Sequence, residues 1–198
     1  MILNQSDIQN ETTDLCLIMS KHGSDKSLGW HNYTLVYDAL FKDIKDTAMY
    51  VFEMGIGVIN SGASLRGWKE YFTKAQIYGA DILEETLFEE DRIDTFHCDQ
   101  LNTISIQNMW NYFDKKVKFD VIIEDGLHTY DANIHFLENS IHKVKDGGWY
   151  IIEDVQVAEI HRYEKYFENC KLKFTEHQIL HLDNPGNKYD NVLILIKK

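Results

Sequence analysis

Cysteine, proline and positive charge are all scarce in this sequence. The 198 residues include three cysteines, which form no CxxC pair, and a single proline. This excludes a disulfide framework and a cysteine-rich zinc site, and it favours a reducing compartment, which we expect to be the cytoplasm. The formal net charge of -12 disfavours partners that are nucleic acids or anionic membranes, since both repel an acidic protein.

Long hydrophobic runs are also missing. The longest, such as residues 192–196, have the length of a strand, whereas a membrane helix needs about 20 apolar residues. The first residues carry no basic stretch followed by an apolar one, so we predict no signal peptide. Hydrophobic residues still make up 44% of the chain, which is typical of a globular protein. We expect residues 1–198 to form one domain, which can assemble as a homo-oligomer.

Short apolar runs alternate with segments of helical period. Continuous apolar runs are typical of strands buried on both faces, and therefore of a parallel sheet. Such strands are predicted over residues 49–53, 75–81, 93–99, 119–125 and 149–154. Apolar residues at helical spacing predict two of the intervening helices, with Gly147 and Gly148 stopping the second. These residues are Ile106, Met109, Trp110 and Phe113, and Ile134, Leu137, Ile141 and Val144.

The two ends of the chain depart from this alternation. Residues 172–180 and 191–196 are strand-like and separated only by a turn, which predicts an antiparallel hairpin. Residues 1–46 have a polar, helical character, and we predict that they cover one end of an α/β core formed by residues 47–198. The predicted fold is a doubly wound, mostly parallel, seven-stranded Rossmann-like sheet with an antiparallel C-terminal hairpin.

A carboxylate follows or ends each of the predicted parallel strands, at the sheet edge where open α/β folds bind ligands. The first strand ends in Glu53, and Gly55 and Gly57 then permit a tight turn close to a ligand. By itself such a glycine pair is more often an ordinary turn. The dinucleotide fingerprint has a third glycine where this chain has Asn60, so a nicotinamide-dependent oxidoreductase is the weaker hypothesis.

The next two strands end in carboxylates that suit an adenosine-type ligand. Asp81 can accept hydrogen bonds from a ribose diol, and Asp99 with Gln100 can contact an adenine amino group. Each aspartate is equally well suited to cap a helix. Taken with Glu53, which would repel a phosphate, these acids favour a nucleoside ligand without phosphates.

Three further acids, Asp125, Glu153 and Asp154, end the fourth and fifth strands. Carboxylates this close repel each other, and a divalent cation such as Mg²⁺ or Mn²⁺ removes the repulsion. His128 lies three residues after Asp125. We predict that it is a general base rather than a metal ligand; a solvated loop histidine is the alternative.

The same motifs resemble a known enzyme family. The run YVFEMGIG at residues 50–57 is similar to the class I methyltransferases that use S-adenosylmethionine (SAM). More narrowly, GASLRGWKEYF at 62–72, FDVIIEDGLHTYDAN at 119–133 and YIIEDV at 150–155 resemble the metal-dependent sugar O-methyltransferases of macrolide and bacterial polysaccharide biosynthesis. This resemblance implies SAM and Mg²⁺ or Mn²⁺ as cofactors.

The resemblance also implies a role for each candidate residue. The SAM-binding residues would be Glu53, Gly55, Gly57, Ser64, Asp81, Asp99 and Gln100. The metal ligands would be Asp125, Glu153 and Asp154, with His128 as the catalytic base. The implied acceptor is a sugar hydroxyl, on a nucleotide-linked sugar, a polysaccharide or a natural-product glycoside. Two alternatives stay open: a catechol-like acceptor, and a non-catalytic SAM-binding partner.

Residues 21–41 resemble a segment of the same family. Asp25, Lys26, His31 and Tyr33 lie there in a polar stretch that neither a helical nor a strand period explains. We predict that this segment belongs to the active site and closes over SAM or the acceptor. A surface loop is the alternative.

Overall fold

One sheet of eight strands forms the centre of the protein. The structure, a computed structural model, describes residues 2–3, 8, 11–182 and 190–198. The strands are β1 (Tyr50–Met54), β2 (Gln76–Asp81), β3 (Glu89–Glu90), β4 (Ile93–His97), β5 (Phe119–Glu124), β6 (Val144–Ile152), β7 (Glu176–His181) and β8 (Val192–Lys197). The helices are α1 (Asp14–His22), α2 (Tyr33–Phe41), α3 (Ala63–Tyr71), α4 (Thr103–Asn111), α5 (Tyr130–Ser140) and α6 (Ile160–Asn169).

The strand order is β3-β4-β2-β1-β5-β6-β8-β7. The central strands β4, β2, β1, β5 and β6 are parallel, whereas β8 is antiparallel to both β6 and β7. The chain runs outwards from β1 in both directions, so the order reverses between β1 and β5. In open α/β sheets, ligands bind at this reversal, beyond the carboxyl ends of the strands.

The predicted doubly wound α/β sheet and its antiparallel C-terminal hairpin are confirmed, but the predicted number of seven strands is wrong. The additional strand is β3, which pairs antiparallel with β4 through Glu89 and Asp94. A strand of two residues is too short to show a period. Its turn uses Arg92 at a φ of 57° instead of glycine, so turn chemistry gives no sign of it either. Most of the predicted hairpin turn, residues 183–189, lies outside the described residues.

The predicted end of the helix before the fifth strand is also wrong. α5 ends at Ser140, and β6 begins at Val144, several residues earlier than predicted. Gly147, at a φ of 77°, lies within β6, where the pairing with β5 shifts register. A Cβ on Gly148 would lie 2.9 Å from the carbonyl oxygen of Asp120. The two glycines therefore form a bulge in the strand rather than a helix stop.

Helices cover both faces of the sheet. One core contains Leu15 of α1, Tyr37 of α2 and Trp68 of α3, and the other contains Trp110 of α4 and Phe136 of α5. α2 is a mostly apolar helix within the core, not a polar cover, because five of its side chains are fully buried: Tyr33, Thr34, Val36, Tyr37 and Phe41. Among the described residues, no helix combines the length and the apolar character that a bilayer crossing requires.

Gly55 packs the end of β1 against the end of β5, and we expect it to tolerate no side chain. Its φ is +96°, and a Cβ would lie 1.9 Å from the backbone oxygen of Asp125. Gly55→Ala should lower the free energy of unfolding by about 3 kcal/mol, from left-handed strain and overpacking together. Gly57→Ala is the matched control, since φ is +73° but no atom lies within 4 Å; strain alone predicts about 1 kcal/mol. Urea unfolding of both variants measures the difference, and equal losses would contradict this packing role.

Candidate active site

A cleft of about 870 Å³ lies at the carboxyl ends of β1, β2, β4 and β5. This volume is typical of small-molecule sites, which span about 300–1,000 Å³. The N-terminal segment 23–30 forms one wall. The lining includes all the predicted site residues except Glu153: Glu53, Gly55, Gly57, Ser64, Asp81, Asp99, Gln100, Asp125, His128 and Asp154.

Asp81 joins the loops that follow β1 and β2. Its Oδ2 accepts hydrogen bonds from the backbone amides of Ile56 (2.8 Å) and Gly57 (3.2 Å), and its Oδ1 accepts one from Leu83 (2.9 Å). No α-helix follows Asp81 directly, so it is not the helix cap that the sequence offered as an alternative. Its carboxylate shapes the glycine turn and lines the cleft.

Asp99 and Gln100 hold the loops after β4 and β5. The N-cap of α4 is Asn102, whose side chain accepts from two backbone amides, so Asp99 is not the cap. Oδ1 of Asp99 instead accepts from the amide of Leu101. The Gln100 amide nitrogen donates to Glu124 Oε1 at 2.9 Å, and its oxygen accepts from the amide of Leu127. Gln100 thus ties the β4 loop to the loop that carries His128.

Glu53 lies on the floor of the cleft with 1% of its surface exposed. It accepts hydrogen bonds from Ser64 Oγ at 2.7 Å and from the indole nitrogen of Trp68 at 2.5 Å. Ser64 therefore acts on the site through Glu53, as well as by lining the cleft. Burial raises the pKa of Glu53, an effect that Lys26 nearby opposes.

Asp125, His128 and Asp154 come together at the cleft edge. His128 Nε2 lies 2.9 Å from Asp125 Oδ1, and His128 Nδ1 lies 3.6 Å from Asp154 Oδ2. His128 and Asp154 have φ values of 54° and 51°, which few residues other than glycine adopt, although Asp and His do so more often than most. Such strain is concentrated at functional sites, where it directs side chains to a shared point.

These three residues fit a divalent cation of the Mg²⁺ or Mn²⁺ class. One potential ligand atom from each lies within 4.8 Å of the others. Two carboxylates with an adjacent imidazole are hard or borderline ligands, and so few of them leave coordination positions for water and an acceptor. Asp125 and Asp154 would hold the ion, and His128 would be available beside it.

Charge pairing dominates the protonation of this cluster. Burial disfavours the charged form of Asp125, but Lys26 and His128 outweigh it and lower the pKa of Asp125 to about 2. Burial likewise lowers the pKa of His128, but the hydrogen bond that its imidazole donates to Asp125 and the charges of Asp125 and Asp154 raise it to about 10. Without a divalent cation to offset Asp125 and Asp154, these contacts favour the protonated imidazole at neutral pH.

Glu153 is not part of the cluster, although it directly precedes Asp154. Its Oε1 accepts a hydrogen bond from Tyr37 at 2.5 Å, and its Oε2 accepts one from Lys26 at 2.7 Å. Burial raises the pKa of Glu153. The structure thus places two of the three predicted metal ligands at the cluster and the third beneath it.

The N-terminal segment contacts the acidic residues, while its predicted closure over SAM or the acceptor stays a prediction. Tyr33 donates to Asp154 Oδ1 at 2.6 Å, and His31 Nδ1 lies 3.4 Å from the same oxygen. Asp25 is exposed on the cleft wall. Sequence reasoning missed Tyr37, the partner of Glu153. The sign of it in the sequence is a hydroxyl one helical turn after Tyr33, on a mostly apolar helix.

Curated relatives are O-methyltransferases that act on glycosides. The chain is 33% identical over 142 residues to 8-demethyl-8-alpha-L-rhamnosyl tetracenomycin-C 2'-O-methyltransferase of Streptomyces olivaceus, a match that covers 70% of this chain and 36% of that enzyme. It is 32% identical over 150 residues to mycinamicin VI 2''-O-methyltransferase of Micromonospora griseorubida, covering 73% and 37%. The chain is a homologue of these O-methyltransferases. It spans little more than a third of their length.

Solved structures confirm the class I methyltransferase fold of this homologue. The MycE methyltransferase of mycinamycin biosynthesis, solved with Mg, SAH and mycinamycin VI, superposes with a TM-score of 0.75 at 24% identity, covering 95% of this chain and 54% of that one. An rRNA methylase from Streptococcus thermophilus superposes with a TM-score of 0.57 at 11% identity, covering 82% and 94%. The same fold thus occurs in methyltransferases named for different substrates, so the fold alone does not identify the substrate. No protein-family model matches the chain.

Proposed function

We propose that the protein transfers the methyl group of SAM to a hydroxyl of a sugar, in a reaction that requires Mg²⁺ or Mn²⁺. The observation that carries this proposal is the convergence of Asp125, His128 and Asp154 at the edge of a cleft whose floor is acidic. The relatives act on glycosides, which supports a sugar of a natural-product glycoside as the acceptor. A nucleotide-linked sugar and a polysaccharide are the alternative acceptors. None of these acceptors is a nucleic acid.

The cleft floor suits the methyl donor. Glu53 and the turn at Gly55 and Gly57 would bind the methionine portion of SAM. Its sulfonium is positively charged, and an anionic site stabilises that charge. Asp81 would accept from the ribose hydroxyls, and Asp99 and Gln100 would lie near the adenine. Ser64 would keep the Glu53 carboxylate in position, since it donates to Oε1.

Proton removal is the task of His128. Methyl transfer forms a bond from the acceptor oxygen to the methyl carbon, breaks the bond from that carbon to sulfur, and releases S-adenosylhomocysteine. A neutral His128 imidazole, held 2.9 Å from Asp125, would take the hydroxyl proton. A divalent cation at Asp125 and Asp154 would acidify and orient the hydroxyl, and it would offset the carboxylate charges that raise the pKa of His128.

Calorimetry and an acceptor screen test this function. Titration should show SAM binding and no NAD binding, and a screen of glycosides, nucleotide sugars and glycan fragments should show S-adenosylhomocysteine formation that depends on the acceptor. Micromolar NAD binding without SAM binding would favour an oxidoreductase. SAM binding with no turnover on any sugar or catechol would favour a non-catalytic partner.

Asp81 gives a specific prediction for the donor site. Asp81→Ala should weaken SAM binding by about 1–3 kcal/mol, because the ribose hydroxyls lose a charged acceptor. Asp91→Ala is the control, since Asp91 lies on the surface after β3 and should bind SAM like the wild type. Because Asp81 also holds the amide of Ile56, thermal unfolding of each variant must accompany the titration. An unchanged SAM affinity in folded Asp81→Ala would remove Asp81 from the donor site.

A further inference from the structure

The ammonium group of Lys26 lies inside the acidic cluster. Its side chain is 2% exposed, and Nζ lies 2.5 Å from Asp125 Oδ2, 2.7 Å from Glu153 Oε2 and 3.3 Å from Glu53 Oε1. Among the described residues that line the cleft, it is the only lysine or arginine. A buried ammonium is stable only when it is paired, and here it is paired with three acids that would otherwise repel each other.

Lys26 divides the acids into two groups. Both oxygens of Glu153 are engaged, one by Lys26 and the other by Tyr37. Asp125 gives Oδ2 to Lys26, while its Oδ1 faces His128. Asp125 Oδ1 and the Asp154 carboxylate therefore belong to the cleft-edge cluster, whereas Asp125 Oδ2 and Glu153 surround the ammonium.

The loop that carries Lys26 is fixed by its backbone. Gly23, at a φ of 75°, ends α1 and turns the chain toward the sheet. The amide of Lys26 donates to Ser24 Oγ, and its carbonyl oxygen accepts from the amide of Thr34 at the start of α2. The ammonium is thus positioned by the loop between α1 and α2. This loop brings it to the carboxyl edge of the sheet.

We propose that Lys26 is a positioning residue that acts as a built-in counter-cation: it competes with the divalent metal for Glu153 and for one oxygen of Asp125, and so sets metal affinity. The inference rests on the proposed function, which supplies the metal. It differs from a purely structural role because it predicts that removing the lysine tightens metal binding. It also predicts that Glu153 contributes little to metal binding while Lys26 is present.

The test is the affinity of the protein for Mn²⁺, measured by electron paramagnetic resonance without SAM or acceptor. Lys26→Met should tighten Mn²⁺ binding by about tenfold or more. Glu153→Gln should change it by less than about threefold in the wild-type background, but should cancel the gain in the Lys26→Met background. Lys21→Met is the matched control: it removes the same charge from a lysine whose side chain is 63% exposed and paired with Glu70, and Mn²⁺ affinity should not change.

Each outcome decides between roles. Unchanged or weaker Mn²⁺ binding in folded Lys26→Met would overturn the inference while leaving the proposed function intact. If Lys26→Met does not fold, Lys26→Arg and the single acid variants decide. Retained affinity in Lys26→Arg and in Glu153→Gln, with a large loss in Asp154→Asn, supports the inference; equal losses in Glu153→Gln and Asp154→Asn overturn it. Absence of Mn²⁺ binding in both wild type and Lys26→Met would reject the metal requirement itself, and the inference with it.

Discussion

Methyl transfer should stop when the divalent metal is removed, and it should fall about 10³-fold or more in Asp154→Asn. A bound cation contributes several kcal/mol of transition-state stabilisation, and each 1.36 kcal/mol changes a rate about tenfold. Asp154 should show this loss most clearly, because its Oδ2 faces the cluster while Tyr33 fixes Oδ1. Turnover is measured in excess EDTA, then after addition of Mg²⁺ or Mn²⁺, with SAM affinity followed in parallel.

Asp91→Asn is the control for this prediction. It removes the same charge from a side chain that is 87% exposed, lies in the turn after β3 and is not part of the cleft lining, so turnover should match the wild type. SAM affinity should survive in Asp154→Asn, since the proposed donor residues lie on or just after β1, β2 and β4, or on α3, and none lies at the end of β6. Full activity in excess EDTA would contradict the metal-binding role of these acids. They would then be structural groups or hydrogen-bond acceptors for substrate hydroxyls.

His128→Ala should lower the rate of methyl transfer by about 10²- to 10⁴-fold, the range expected for loss of a positioned base. Its ring contacts Asp125 at 2.9 Å and lies 37% exposed at the cleft edge, where an acceptor hydroxyl can reach it. A base must be neutral, so wild-type activity should rise with pH through the pKa of His128 in the loaded enzyme. That acid limb should disappear in the variant.

Two further measurements separate a base from a metal ligand. If His128 is a base, His128→Ala should bind Mn²⁺ and SAM with affinities near those of the wild type. A tenfold or larger loss of Mn²⁺ affinity would show that His128 is a metal ligand instead. His161→Ala is the control, because His161 is exposed on α6 and bonds the nearby carbonyl oxygen of Ala158. Near-normal turnover with an intact acid limb in His128→Ala would mean that another group accepts the proton. Glu124 would be the first candidate, because burial raises its pKa to about 7.

The sequence by itself determined the sheet and the edge at which the candidate site lies. A strand buried on both faces requires an unbroken apolar run, so β1, β2 and β5 were visible within a few residues of their observed bounds. The residues just past such runs must lie at one edge of a parallel sheet. Glu53, Asp81 and Asp125 could therefore be assigned to one cleft before any side-chain position was known.

Only the tertiary structure decided how the acids are divided and what balances them. Glu153 and Asp154 are neighbours in sequence, yet the φ of 51° at Asp154 and the contacts of Tyr37 and Lys26 send their carboxylates to different places. Lys26 meets Asp125 and Glu153 across 99 and 127 residues of chain. Local periodicity carries no information about such contacts, because the pairing of a buried charge depends on which distant segments the fold brings together.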